Sequence, residues 1–278
     1  MKESIKKILH NFGIYHSLQS SYRTGIVFFQ KLFYRLRFTK YKGKGFTCNV
    51  CGSQYERFID EYPQATNSEA LAKYSVIAGY GKNILCPSCL STARERLVIA
   101  MLQQSDITNK EIFHVAPEKK VYDLLKSKAK VTTADLIPGF YQSIKGIMKA
   151  DITKLRFPDD QFDIVIANHV MEHIPDDSAA MRELFRVLKP GGIAILQIPF
   201  SQNLLHTIET PQIKDPVLQE KLYGQKDHVR IYALHDYIAK LKEAGFDVSE
   251  ISYTDLQPFY KYAIQQNESF LRITKPMA

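Results

Sequence analysis

Hydrophobic and polar positions alternate most tellingly between residues 151 and 200, in an order that predicts strand, helix and strand. Ile164, Val165, Ile166 and Ala167 form an unbroken apolar run that ends abruptly in Asn168, His169, Glu172 and His173. Such a run marks a strand covered on both faces. Asp176 or Asp177 then caps a helix whose apolar face recurs at Met181, Leu184, Phe185 and Leu188. Lys189-Pro190-Gly191-Gly192 stops that helix ahead of a strand over 193–198. Polar chemistry therefore sits at the carboxyl end of a buried strand, where open α/β sheets hold their ligands.

The same reading extends in both directions. A helix over 92–104 presents Leu97, Val98, Met101 and Leu102, and a strand follows through Ile112, Phe113, His114 and Val115. Further strands are predicted over 131–135, just ahead of Asp151, over 247–253 and over 269–274, with a helix over 237–246. Together they make an α/β sheet of seven strands with helices on both faces. Residues 201–232 are too long for a simple connection, and long insertions in compact domains are usually lids or binding loops.

The amino-terminal segment has a different character. Ile5, Ile8, Leu9 and Phe12 make one apolar helical face, and Ile26, Phe29, Leu32, Phe33 and Leu36 make another. The segment from Met1 to Thr47 holds ten Lys or Arg and a single acid, Glu3, which accounts for much of the net charge of +8. Such an arm fits an anionic membrane surface, a partner, an RNA backbone or its own catalytic body. No apolar run approaches the roughly 20 residues of a membrane-spanning helix, and no signal peptide is visible. The expectation is a cytoplasmic protein, peripheral to the inner membrane face, with residues 1–46 as a basic arm, 47–104 as a metal lobe with its linking helix, and 105–278 as the main domain.

All four cysteines fall in two C-x-x-C pairs, Cys48/Cys51 and Cys86/Cys89. Two such knuckles complete the tetrahedral thiolate site that structural zinc prefers. Gly52 and Pro87 suit the tight turns, and the 34 residues between knuckles predict a small lobe inserted over 54–83. Disulfide pairing and an iron–sulfur cluster are the alternatives. Lys44, Lys82, Arg94 and Arg96 are candidates to offset the charge of four thiolates.

The block F-D-I-V-I-A-N-H-V-M-E-H, its helix, and L-K-P-G-G with the next strand resemble the second half of a class I S-adenosylmethionine-dependent methyltransferase. The resemblance covers about residues 111–275 and implies a Rossmann-like seven-stranded mixed sheet. It places Asp135 and Leu136 at the cofactor ribose, Asp151 and Ile152 at the adenine, and Asn168 and His169 beside the cofactor. The family's first strand ends in an acid and a G-x-G-x-G turn, whereas this chain has His114 and then Ala116, Pro117 and Glu118 at the methionine end. For Asp135 or Asp151 taken alone, a helix cap or a solvated turn is an equally good reading.

On the acceptor side His228 is the first candidate for a base or orienting residue, fixed by Asp227 or Arg230, and His169 is the second. His228 and Arg230 could instead pin the 201–232 segment, and His173 reads as structural. The leading function is methyl transfer to an oxygen or nitrogen of a small-molecule or glycan-type acceptor. The alternatives are an RNA methyltransferase that grips its substrate through the zinc lobe and basic arm, and an inactive zinc-bearing binding module.

Overall fold

A computed structural model describes residues 14–141 and 143–277 of the chain. The apolar face through Ile5, Ile8, Leu9 and Phe12 lies outside the described residues. The first described element is the helix α1 (Ile14–Arg37). The lobe that follows contains β1 (Lys42–Thr47), β2 (Gln54–Tyr55), β3 (Ile59–Glu61), α2 (Ala65–Lys73) and β4 (Gly81–Leu85). Two antiparallel pairs, β1 with β2 and β3 with β4, frame the cysteine knuckles. The stretch between knuckles folds into β2, β3, α2 and β4, with β2 paired to β1 ahead of the first knuckle.

A linking helix, α3 (Ala93–Leu102), leads into the main domain. It begins where the sequence places it because Thr92 and Glu95 form a reciprocal capping box. Thr92 Oγ1 accepts from the Glu95 N–H at 3.1 Å, and Glu95 Oε2 accepts from the Thr92 N–H at 2.9 Å. The main domain continues with β5 (Glu111–Val115), α4 (Lys119–Leu125), β6 (Lys130–Asp135), β7 (Met148–Lys149), β8 (Phe162–Ile166), α5 (Asp177–Val187) and β9 (Leu188–Ile195). The 201–232 segment is itself folded, into β10 (Phe200–Ser201), β11 (Ile208–Glu209), α6 (Pro216–Tyr223) and β12 (Arg230–Ala233). Helix α7 (Leu234–Glu243), β13 (Asp247–Ile251) and β14 (Phe270–Thr274) complete the chain.

The large sheet has the order β13-β14-β9-β8-β5-β6-β7. Strands β5 to β9 run parallel, and β14 enters antiparallel between β9 and β13. This is the seven-stranded mixed sheet of the Rossmann-like methyltransferase fold. Successive side chains point to opposite faces, so Phe113 and Val165 join one core while Ile112, Ile164 and Ile166 join the other. Both faces are buried, which is why these strands read as continuous apolar runs.

Two boundaries differ from the sequence reading. Strand β9 begins at Leu188 and passes through a bulge at 189–192, with Gly191 at φ +73°, that still pairs with the chain end: the Gly191 N–H donates to the Lys275 carbonyl at 2.8 Å and the Lys275 N–H to that of Gly192 at 3.0 Å. A side chain at Gly192 would meet the Lys189 carbonyl at 2.7 Å, so the turn admits only glycine there. Strand β7 is two residues long, which leaves Asp151 beyond its end.

The lobe and the main domain are joined by a buried cation. Arg96 is fully buried, lies over the Phe58 ring at 4.8 Å, and donates to the carbonyls of Ser91, Asn83, Ile84, Tyr262 and Ala263. Gln265 adds a second tie, accepting from the Gly79 N–H at 2.8 Å and donating to the Tyr80 carbonyl at 2.9 Å. The end of α1 also docks on the lobe, through buried Phe38 and an Arg35 bond to the Ser88 carbonyl. Farther along, Phe28, Phe29, Leu32, Phe33 and Leu36 remain exposed. Among the described residues no helix is long and apolar enough to cross a membrane.

Truncating a buried, fully bonded cation orphans its acceptors. Arg96→Ala is expected to lower stability by about 3–5 kcal/mol, read from denaturant unfolding. A loss under about 1 kcal/mol would show that water or neighbouring donors replace the guanidinium.

Candidate functional site

Strands β5 and β8 are neighbours in the sheet although β6 and β7 lie between them in sequence, so a crevice opens at their carboxyl ends. His114, at the end of β5, is fully buried with neither ring nitrogen paired, and burial pushes its pKa down to about 4. It stands there as a neutral ring. Ala116 follows with φ +46°, the left-handed backbone that glycine adopts freely. The chain thus holds at Ala116 a backbone conformation that favours glycine, at about 1–2 kcal/mol of strain. After Pro117, the Glu118 carboxylate accepts from Arg94 Nε at 2.8 Å and from Asn168 Nδ2 at 3.0 Å. Asn168 is buried, and its own oxygen has no partner.

Asp135 closes β6 with both oxygens engaged. One accepts from the Ile137 N–H at 2.6 Å and the other from the Tyr141 hydroxyl at 2.7 Å. Asp151 folds back on its own turn, accepting from the N–H and hydroxyl of Thr153 at 3.0 and 2.7 Å, which holds its carboxyl below the usual range. Leu136, Met148, Ala150, Asp151 and Phe157 line a cleft of about 670 Å³ at this edge. Ile152 is buried in the core behind it.

On the other side of the crevice lies a cluster of ionisable groups. His169 takes φ +51°, and its Nδ1 stands 3.5 Å from Glu172 Oε1. Glu172 is almost fully buried, with its second oxygen unpaired, and burial pushes its pKa up to about 7. The His173 ring meets the His228 ring edge-on at 4.7 Å. Burial pushes His228 down to about 4, while His169 falls well below its ordinary value through burial and the Arg94 charge.

Asp227 sits against His173 rather than His228: His173 Nδ1 lies 3.3 Å from the Asp227 carboxylate and 3.2 Å from its carbonyl. Burial opposes protonation of His173, but Asp227 and Glu172 outweigh it and hold its pKa above the ordinary value. Arg230 points away from His228. It donates to the carbonyls of Met171, Ile174 and Pro175 and to Glu209, so it stitches the 201–232 segment to the loop after β8.

The four cysteines come together in the lobe. Sγ of Cys48 lies 3.7 Å from that of Cys89, and Cys51 lies 3.8 Å from Cys86. Tetrahedral zinc with Zn–S near 2.3 Å sets its ligands about 3.8 Å apart, whereas a disulfide needs about 2.05 Å. The donor set therefore fits zinc, and all four thiols are free. Both knuckles use the same turn: the Gly52 N–H donates to the Cys48 carbonyl and the Leu90 N–H to that of Cys86, each at 2.8 Å. Gly52 and Leu90 both take positive φ. Ser91 Oγ stands 3.2 Å from Cys48 Sγ as an outer partner. Of the cations expected to balance the thiolates, Lys44 pairs with Glu56 and Arg94 turns to Glu118. Arg96 is the one whose charge the thiolates support.

Three residues of the site escaped the sequence reading. Arg94 meets an acid 24 positions away, Tyr141 reaches Asp135 from an irregular loop, and His173 takes the partner assigned to His228. Only His173 left a signal, its place beside Glu172 at a strand end.

Comparison with known proteins bears on this crevice. Residues 98–196 match the family described as a methyltransferase domain. A ubiquinone/menaquinone biosynthesis C-methyltransferase of Vibrio campbellii is 32% identical over 115 residues, covering 36% of this chain and 43% of that protein. Phosphoethanolamine N-methyltransferase 3 of Arabidopsis thaliana is 34% identical over 101 residues, covering 35% of this chain and 18% of that protein. The matched segments thus span less than half the length of these curated relatives. Among solved structures, an S-adenosylmethionine dependent methyltransferase from Mesorhizobium loti superposes with a TM-score of 0.43 at 14% identity, over 66% of this chain and 96% of that one.

Proposed function

We propose that the chain is a class I S-adenosylmethionine-dependent methyltransferase, as the family match over residues 98–196 supports, and that it transfers a methyl group to an oxygen or nitrogen of a small-molecule or glycan-type acceptor. One observation carries the reading. The acids of the cofactor side and the His169, Glu172, His173 and His228 cluster, of which Glu172 and His228 are buried, lie at the carboxyl ends of neighbouring parallel strands of one sheet, beside the folded 201–232 segment.

S-adenosylmethionine supplies the methyl group on a sulfonium centre. Asp135 is the residue for the ribose hydroxyls, since a carboxylate is matched to paired hydroxyl donors. Its bond from Tyr141 is traded when the ribose arrives. The cleft beside Leu136 and Asp151 receives the adenine. His114, Ala116 and Glu118 face the amino-acid end, where the unpaired ring nitrogens of His114 and the oxygen of Asn168 await polar partners. Methyl displacement runs in line, so alignment and exclusion of water are the protein's main contribution. Arg230, buried and bonded to three carbonyls, keeps the covering segment closed over the strand ends.

The four cysteines hold a structural zinc ion, because four thiolates leave no open position for chemistry. The exposed apolar row of α1, with Lys31, Arg37 and Lys40 along and beyond it, docks on an anionic membrane surface and brings the acceptor side to a membrane-borne substrate.

Calorimetric titration with S-adenosylhomocysteine is expected to show micromolar binding that weakens at least tenfold in both Asp135→Ala and Asp151→Ala. Absence of binding would sink the enzyme reading. Metal analysis of purified protein should find one zinc per chain, and stripping it with a chelator should lower the unfolding temperature; an unchanged transition after removal would contradict a structural role. Phe29→Ser with Leu36→Ser should abolish co-sedimentation with anionic vesicles, and equal sedimentation of the variant would remove the membrane from the account.

A further inference from the structure

The Glu172, His173 and His228 cluster has a property that the methyltransferase reading does not use. One ligand-capable atom from each residue lies within 4.8 Å of the others. Glu172 Oε2 and His228 Nε2 are both buried and have no hydrogen-bond partner. The two residues are 1% and 4% exposed, so water does not readily compensate them. Buried polar atoms are nearly always paired, and one common reason for an exception is an absent ion.

The placement of the two imidazoles favours the same explanation. His173 Nδ1 is held by Asp227, through the carbonyl at 3.2 Å and the carboxylate at 3.3 Å. That leaves His173 Nε2 facing Glu172 Oε1 at 4.0 Å, too far for a hydrogen bond. His228 Nε2 is buried and unpaired, so it is free to act as a ligand atom. His173 thus has one nitrogen fixed by the carboxylate and carbonyl of Asp227 and the other turned toward Glu172, while His228 keeps a free Nε2 within the same group. The hold of Asp227 on His173 is the outer arrangement that orients metal-binding histidines. His228 belongs to the 201–232 segment itself, so the centre joins that segment to the loop after β8, with an opening along the half-exposed His173 edge.

We propose that Glu172, His173 and His228 form a second metal centre, distinct from the four cysteines, that takes a divalent first-row transition-metal ion. Two imidazoles and one carboxylate suit Mn²⁺, Fe²⁺ or Co²⁺ and leave coordination positions open. An ion held there would lower the pKa of an acceptor hydroxyl, whose proton would pass to solvent water while its oxygen takes the methyl group from the sulfonium and leaves S-adenosylhomocysteine. The centre therefore ranks oxygen above nitrogen as the acceptor atom. Its role in transfer rests on the methyltransferase reading, whereas its capacity to bind an ion does not. The exposed trio His206, His235 and Asp236 also meets the distance test, but its groups have surface partners and no buried unpaired atom.

The test is a Mn²⁺ titration of zinc-loaded protein, followed by the paramagnetic resonance signal of the free ion, since thiolate sites with bound zinc do not take up manganese. One Mn²⁺ per chain is expected, with binding weakened at least tenfold in both Glu172→Gln and His228→Asn. S-adenosylhomocysteine affinity, measured on the same samples, should change less than threefold and so reports that both variants are folded. Failure of the wild-type protein to bind Mn²⁺, or binding that survives both substitutions and is lost in His206→Ala, would overturn the proposal. Loss of S-adenosylhomocysteine binding with Mn²⁺ binding intact would count against the methyltransferase reading alone.

Discussion

A guanidinium with no access to water sets the architecture of this chain. Arg96 has carbonyl oxygens from two parts of the protein as its partners, and a charge removed from solvent is tolerated only when such partners are fixed in place. Burial lowers its pKa to about 10, while the nearby cysteines pull the other way. The lobe, the linking helix and the loop ahead of β14 must therefore all be formed before Arg96 is satisfied. Two residues earlier on the same helix, Arg94 reaches the opposite side and grips Glu118 in the crevice. One helix carries both the cation that ties the cysteine lobe to the main domain and the cation that orders the turn after β5.

That turn and the one after β8 share a feature. Ala116 and His169, at the ends of adjacent strands, both hold left-handed backbone without being glycine. Strain of this kind persists where surrounding contacts over-determine the geometry. Here the surroundings are specific: Ala116 N–H bonds to the Ala134 carbonyl of β6, and His169 N–H to the Gln197 carbonyl beyond β9. The chain turns sharply at both points and brings Glu118, Asn168 and Glu172 to one place.

Much of this was legible in the sequence, for identifiable reasons. Buried parallel strands leave uninterrupted apolar runs, and Thr92 with Glu95 announces a helix start within four letters. The cysteine spacing carries its own geometry. Long-range polar pairing was not legible. Nothing near Arg94 or Arg96 says which of them faces the thiolates, because a rotation of about 200° along one helix separates two otherwise similar side chains. Asp227 and His228 are adjacent in sequence, yet the carboxylate serves His173 from another segment. Arg230 reads as a candidate for chemistry, but its guanidinium is consumed by the carbonyls of the loop after β8. Asp151 keeps its turn through Thr153, a role its letters equally allowed.

The short antiparallel contact between Ile77 and Phe200 has a mechanical meaning. Ile77 belongs to the lobe inserted between the cysteine knuckles, and Phe200 opens the segment that covers the crevice; the two exchange backbone bonds at 2.8 and 3.2 Å. Helix α2 of the lobe also packs against α6 of the cover. The cover is consequently no free flap. To move it must break a strand pairing and a helix contact with the lobe, so the segment and the cysteine lobe behave as one cooperative unit. Any stiffening of the cysteine lobe is therefore passed on to the 201–232 segment through those two contacts.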